Sequence, residues 1–206
     1  MLAAIVLIVI VAIVVGAGAI GYTLYRALPS GAVQKLLAPP AAAPGERSLR
    51  ELRAGDIVTR RGIDFVCEGA IAYEEAGHRW VAGLLVDTHT SHWLLAGIDR
   101  SSDATVRLLE VEPQLKLTEY PAERITLGDQ LFALDKRGIA TCTLSGDVRF
   151  LAKSARPMRG SAERCRWWLY SAANGESLLV EQWGADYRAL RGGKVDVAEF
   201  AIIHGS

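Results

Sequence analysis

The chain opens on one hydrophobic pattern and continues on another. Residues 1–25 contain no charged side chain, and the run from Ile5 to Val15 is almost wholly β-branched. Such a run forms a helix reluctantly in water, but lipid forces it into one because the backbone has no other way to satisfy its polar groups. A helix of that length rises about 37 Å against a hydrocarbon core of roughly 30 Å. The pattern therefore predicts a transmembrane anchor over residues 1–27, with Tyr22, Tyr25 and Arg26 at the interface. A cleaved signal peptide ending near Ala17 to Ala19 fits less well, since a basic leader is missing and the apolar core is too long. Residues 28–47 hold Pro29, Pro39, Pro40 and Pro44 among alanines, which neither continue a helix nor close a core, and read as a linker.

From residue 48 the periodicity changes. Ser48-Leu-Arg-Glu51 has the spacing of a capping box and predicts one short helix with Leu49 and Leu52 turned inward, ended by Gly55. Short runs rich in Val, Ile, Leu, Trp and Phe follow, bounded by glycine, aspartate or asparagine. They predict strands at 56–60, 65–73, 80–87, 93–99, 106–111, 130–134, 140–144, 165–171, 177–182, 187–190 and 198–203. Turns are expected at Glu75-Ala-Gly77, Ser101-Ser-Asp103, Lys136-Arg-Gly138, Asn174-Gly175 and Gly192-Gly193, with Asn174-Gly175 as a type I′ hairpin. Many short strands without βαβ alternation predict an all-β fold over residues 48–206, an antiparallel sandwich or paired small barrels. Trp80 with Trp93, and Trp168 with Trp183, each flank a strand-turn-strand unit and hint at internal symmetry.

Charge adds orientation. All 23 basic and 23 acidic residues lie at or after Arg26, so the net charge of zero belongs to the C-terminal part. A neutral domain lacks the basic field that collects phosphates, which argues against nucleic acid as a partner. Arg26, Lys35, Arg47, Arg50 and Arg53 follow the apolar segment, and the positive-inside tendency then places the C-terminal domain in the cytoplasm. Cys67, Cys142 and Cys165 are odd in number without CxxC spacing, and read as reduced, partly buried thiols. Small-xxx-small pairs at Ala12 and Gly16 and at Ala17 and Gly21 offer a route to self-association through the anchor.

Leu52-x-x-Gly55-Asp56-x-Val58, Val66-x-x-Gly69, Trp80, Leu84-Leu85, Trp93-Leu94 and Leu178-x-Val180-Glu181-x-Trp183-Gly184 resemble a bacterial family known as domain of unknown function 4178. The resemblance covers roughly residues 49–203. Where that family often has Trp-x-Glu-Tyr, this chain has Trp80-Val-Ala-Gly83. The resemblance implies an accessory module at a bacterial inner membrane and transfers no catalytic residue.

Three groups of side chains suggest chemistry. Asp87, His89 and His92 form the densest cluster of metal-capable residues, with His78 as a further ligand from the adjacent strand. Cys67, His78 and Asp87 have the types of a nucleophile, base and orienter. Lys153 to Arg166 contains Arg156, Arg159, Arg164 and Arg166 running into Trp167-Trp168, a basic stretch suited to an acidic partner or to anionic headgroups, with Trp168 as its aromatic anchor. No cofactor is called for. The expected function is a membrane-tethered cytoplasmic interaction or accessory module with a protein partner; the alternatives are a small-ligand or metal sensor and a hydrolase.

Overall fold

The structure is a computed structural model, and it describes residues 48–100, 105–148 and 162–203. The predicted anchor and linker lie outside these residues, as do the Ser101-Ser-Asp103 turn, Arg156 and Arg159. Among the described residues no helix is long and apolar enough to cross a membrane.

The strands are β1 (Ile57–Arg60), β2 (Ile63–Glu75), β3 (His78–Val86), β4 (Ser91–Ala96), β5 (Thr105–Val111), β6 (Arg124–Leu127), β7 (Gln130–Gly146), β8 (Ala162–Ala172), β9 (Glu176–Trp183), β10 (Asp186–Asp196) and β11 (Phe200–Ile203). All pair antiparallel in the order β11-β1-β2-β3-β4-β5-β10-β9-β8-β7-β6, and β2 also pairs with β7. That extra pairing closes eight strands into one barrel, leaving β1 with β11 and β6 as flaps. The antiparallel all-β prediction holds, whereas the sandwich or paired small barrels give way to this single barrel. In this order β1 to β5 and β6 to β10 are two runs of sequential neighbours, joined at β5–β10 and β2–β7.

Each long strand does two jobs. The first part of β2 pairs with β1 and its later part, from Gly69 to Glu74, with β7; a bulge between Cys67 and Gly69 marks the change. Likewise the first part of β7 pairs with β6, and a register shift lies between Leu134 and Lys136. Gly69 and Gly146 face each other where the barrel closes. A Cβ on Gly69 would collide with the Asp147 carbonyl, and one on Gly146 with the Glu68 carbonyl, so only glycine lets the two strands approach.

Two glycine turns read from the sequence are not turns. Lys136-Arg-Gly138 lies inside β7, where a Cβ on Gly138 would strike the Glu75 carboxylate, and Gly192-Gly193 lies inside β10, where Gly192 lets the Leu108 carbonyl of β5 come close. Asn174-Gly175 does close the β8–β9 hairpin, but Gly175 alone has positive φ (87°), and its N–H donates to the Ala172 carbonyl at 3.0 Å. Positive φ at both central positions occurs instead at Arg61-Gly62 and Ala76-Gly77. The short β6 had no signal in the pattern. The capping-box segment is a single 3-10 turn, Leu49–Glu51, with the Glu51 carboxylate accepting from the Ser48 N–H at 3.4 Å.

Three apolar clusters account for the composition. The barrel interior holds Ile71, Tyr73, Trp80, Trp93, Leu95, Trp167, Leu169, Leu179, Trp183 and their neighbours. Outside one half-sheet, Leu49, Leu52, Val58, Phe65 and Cys67 cover Val81, Leu85 and Leu94. Outside the other, Ile125 and Phe132 cover Trp168, Tyr170, Leu178 and Val180, with Leu115 and Leu117 packed against them. Gly83 makes room for this covering, since a Cβ there would collide with the Leu52 side chain. Strands buried on both faces read as continuous apolar runs, which is why Trp167 to Tyr170 and Leu178 to Val180 show no alternation.

Candidate binding site at the barrel mouth

The barrel interior is not wholly apolar. On the inward face of β9, Glu181 is 1% exposed, and directly opposite it on β10 sits Arg188. The Arg188 Nε donates to Glu181 Oε2 at 2.7 Å, and Arg188 Nη2 donates to the same oxygen. Tyr73 Oη donates to Glu181 Oε1 at 2.6 Å and Trp183 Nε1 to Oε2 at 3.3 Å. The guanidinium also lies 4.1 Å from the centre of the Trp93 ring. Burial, followed by the charge of Glu181, pushes the Tyr73 phenol well above its ordinary range. Burial likewise raises the Cys165 thiol beside Cys142, so both that thiol and the phenol stay protonated. Tyr73, Trp183 and Arg188 all donate to this one carboxylate, and the arrangement ties β2, β4, β9 and β10 together. It is an internal fastening.

The open end is different. Beyond Glu74 and Thr141 the β2–β7 backbone ladder stops, and β2 next meets β7 through the Glu75 carboxylate, which accepts the Ile139 N–H. A cavity of about 320 Å³ lies there, lined by Glu75, His78, Trp80, Ile98, Arg100, Lys136, Arg137 and Trp167. Its walls are aromatic and its rim is charged. Trp80 stacks on Tyr73 at 5.2 Å and on His78 at 5.5 Å, and meets Trp167 edge-on at 5.5 Å. Trp167 is 6% exposed, yet its buried Nε1 has no hydrogen-bond partner, and neither has His78 Nε2. A buried indole N–H left unpaired costs roughly 1–3 kcal/mol, and Trp167 and His78 both line this cavity.

Charge at this end is unevenly matched. The Asp99 carboxylate is shared by Arg107 at 2.8 Å, Lys136 at 2.8 Å and Lys194 at 3.9 Å. Burial would raise the Asp99 carboxyl, but hydrogen bonds from Arg107 and Lys136 overcome it and hold it at about 2. Glu75, the cavity's own carboxylate, already accepts the Ile139 N–H at 2.7 Å. Arg100 and Arg137 add two further cations, and neither makes an ion pair among the described residues.

The residues singled out from the sequence are placed as follows. Asp87 lies in the β3–β4 turn, where its Oδ1 accepts from the His89 N–H at 2.7 Å and the Thr90 N–H at 2.6 Å; these bonds hold its carboxyl below the ordinary range. His89 is exposed, and His92 Nδ1 lies 3.2 Å from Glu110 Oε1 and edge-on to Phe65. Among the described residues no three His, Cys, Asp or Glu side chains gather as a metal site. His78 and Asp87 sit at opposite ends of β3, roughly 30 Å apart at 3.3 Å per residue. Cys67 is buried under Leu52 outside the barrel, its thiol pushed to about 12 by burial and by Asp56. The structure thus separates the nucleophile, base and orienter. Arg164 and Arg166 are exposed on β8, but Trp168 is 2% exposed in the outer cluster, edge-on to Tyr120, and is not available as a surface anchor. Of the mouth residues, the sequence drew attention to Trp80 and His78; Trp167 stood only beside Trp168, while Ile98, Arg100 and Lys136 carried no signal.

A family model described as a domain of unknown function (DUF4178) matches residues 53–197. No curated protein and no solved structure matches the chain.

Proposed function

The chain belongs to the family of the domain of unknown function DUF4178, and on that premise we propose that it is a membrane-tethered accessory module whose barrel binds a small molecule at its open mouth. The observation that supports this reading is the aromatic cavity with two buried, unpartnered nitrogens, at Trp167 and His78. Its volume falls at the small end of the roughly 300–1,000 Å³ typical of ligand pockets. A hydrolase reading finds no support in the cavity, since the thiols lie elsewhere and Glu75 is already engaged by a backbone N–H. The N-terminal 27 residues would hold the barrel at the cytoplasmic face of the membrane. Thermal unfolding of the full chain in lipid nanodiscs, with a panel of small aromatic molecules, tests the binding reading: ligands of the folded state raise Tm. Stabilisation that disappears in Trp167→Ala, while the variant remains folded, is the expected result. Resistance of the chain to alkaline extraction from membranes, lost on removing residues 1–27, tests the anchor.

A protein partner is a second reading, favoured by one feature. Val66, Ile57 and Ile203 are register neighbours across β2, β1 and β11, and Val66 and Ile203 are 48% and 55% exposed. This apolar stripe beside the edge strand β11 is a surface another protein can cover. Cross-linking capture from native membranes, repeated with Ile203→Lys, tests it: a specific partner captured by wild type and lost in the variant is the expected outcome.

A further inference from the structure

The geometry points to a small aromatic anion, a carboxylate or phosphate group on a flat apolar body, as the ligand of the barrel mouth. This inference rests on the binding reading above and adds the ligand's chemistry. Three independent observations support it. The first is the imbalance of donors over acceptors: Trp167 Nε1 can only donate, and it is buried in the cavity wall with nothing to donate to. His78 Nε2 donates as well in the tautomer that protonates it, and it too is without a partner. The one carboxylate in the lining, Glu75, is turned to the Ile139 N–H. A ligand rich in acceptors completes this site once the Trp167 and His78 rings turn to meet it, and one rich in donors does not.

The second is charge. Arg100, Lys136 and Arg137 line the cavity against Glu75 alone. Asp99 takes up Lys136 together with Arg107 and Lys194, so the rim cations left without an acidic partner among the described residues are Arg100 and Arg137. An anion entering here meets an unbalanced positive field at the edge of a low-dielectric barrel, where charge-assisted hydrogen bonds are strongest. The third is the wall itself. Trp80, Trp167, His78 and Ile98 present aromatic and aliphatic surface, which favours a flat apolar body over a bare inorganic ion.

The test uses the full chain in nanodiscs of zwitterionic lipid and isothermal calorimetry with single-ring probes: benzoate, phenyl phosphate, neutral benzamide and cationic benzylamine, with inorganic phosphate and spermidine as ring-free controls. The expected result is binding of benzoate or phenyl phosphate at least tenfold tighter than of benzamide, with no binding of benzylamine or spermidine, and weakening as salt rises. The stronger of the two anionic probes identifies the head group. Arg100→Gln is expected to weaken anion binding by roughly tenfold or more, and benzamide binding by less. Trp167→Phe keeps the ring, removes the N–H and is expected to weaken anions by several-fold. Tighter binding of benzylamine, spermidine or benzamide overturns the inference while leaving a binding mouth in place. Inorganic phosphate binding as well as phenyl phosphate removes the aromatic part of it. If none of the probes binds at millimolar concentration, the inference fails together with the reading beneath it. An anion that binds equally to wild type and Arg100→Gln binds elsewhere, and also overturns it.

Discussion

Replacing Glu181 with leucine tests how the barrel interior is held. The substitution leaves the Arg188 guanidinium buried without its counter-charge, with Arg188 Nη1 already lacking a partner, and deprives Tyr73 Oη and Trp183 Nε1 of their acceptor. Breaking a buried pair from one side costs roughly 3–5 kcal/mol. Against a total stability of about 5–15 kcal/mol for a domain, that brings the barrel close to unfolding. The physical claim is that the cost comes from the stranded charge rather than from the loss of a favourable pair. The combined variant Tyr73→Phe, Glu181→Leu and Arg188→Met removes the charge and the phenol while roughly keeping volume. It is expected to recover about 2 kcal/mol or more relative to Glu181→Leu alone, since buried pairs replaced on both sides by apolar groups are often nearly neutral. Urea unfolding of the full chain in nanodiscs, followed by tryptophan fluorescence, measures both because Trp93 and Trp183 lie against the network. A loss under about 1 kcal/mol for Glu181→Leu would refute the reasoning. So would a triple variant as unstable as the single one, because the stranded-charge account requires relief.

Three further expectations follow from the same geometry. Asp99, held at about 2 against an ordinary value of 3.8, binds its proton more weakly folded than unfolded, so its contribution is complete above about pH 4 and is lost as pH falls toward 2. Unfolding free energy is expected to fall by about 2 kcal/mol across that window, and Asp99→Asn to flatten that part of the profile; an unchanged slope in the variant would count against the assignment. Gly69→Val places a side chain where β2 closes on β7 and meets the Asp147 backbone, and is expected to destabilise by about 2 kcal/mol or more, read as a lower urea midpoint. Cys67, Cys142 and Cys165 are buried, and iodoacetamide is expected to label them only at the rate of unfolding; rapid labelling of the native protein would show the thiols to be open.

Secondary structure was largely legible where strands bury both faces, since runs such as Trp80 to Val86 leave few other options. It failed where glycine serves packing instead of a turn. Gly138 and Gly192 sit inside strands because a carboxylate and a carbonyl occupy the space a Cβ would need, and that space is created by β2 and β5, distant in sequence. The short strand β6 exists because β7 offers it an edge, not through its own pattern. The mouth was less legible still. Trp80 and His78 are alternate residues on β3, but Lys136 and Trp167 come from β7 and β8, and only closure of the barrel brings these side chains around one cavity.

The sequence by itself determined the all-β character of residues 48–203 and its antiparallel pairing, because local periodicity, turn residues and apolar content are properties of neighbouring positions. Tertiary structure alone decided that one sheet closes on itself, that Glu181 faces Arg188 inside it, and that Trp168 packs into the core while Trp167 lines the mouth. The reason is the period of a strand: adjacent residues point to opposite faces, and which face becomes interior, exterior or rim depends on a closure between β2 and β7 that no local window contains.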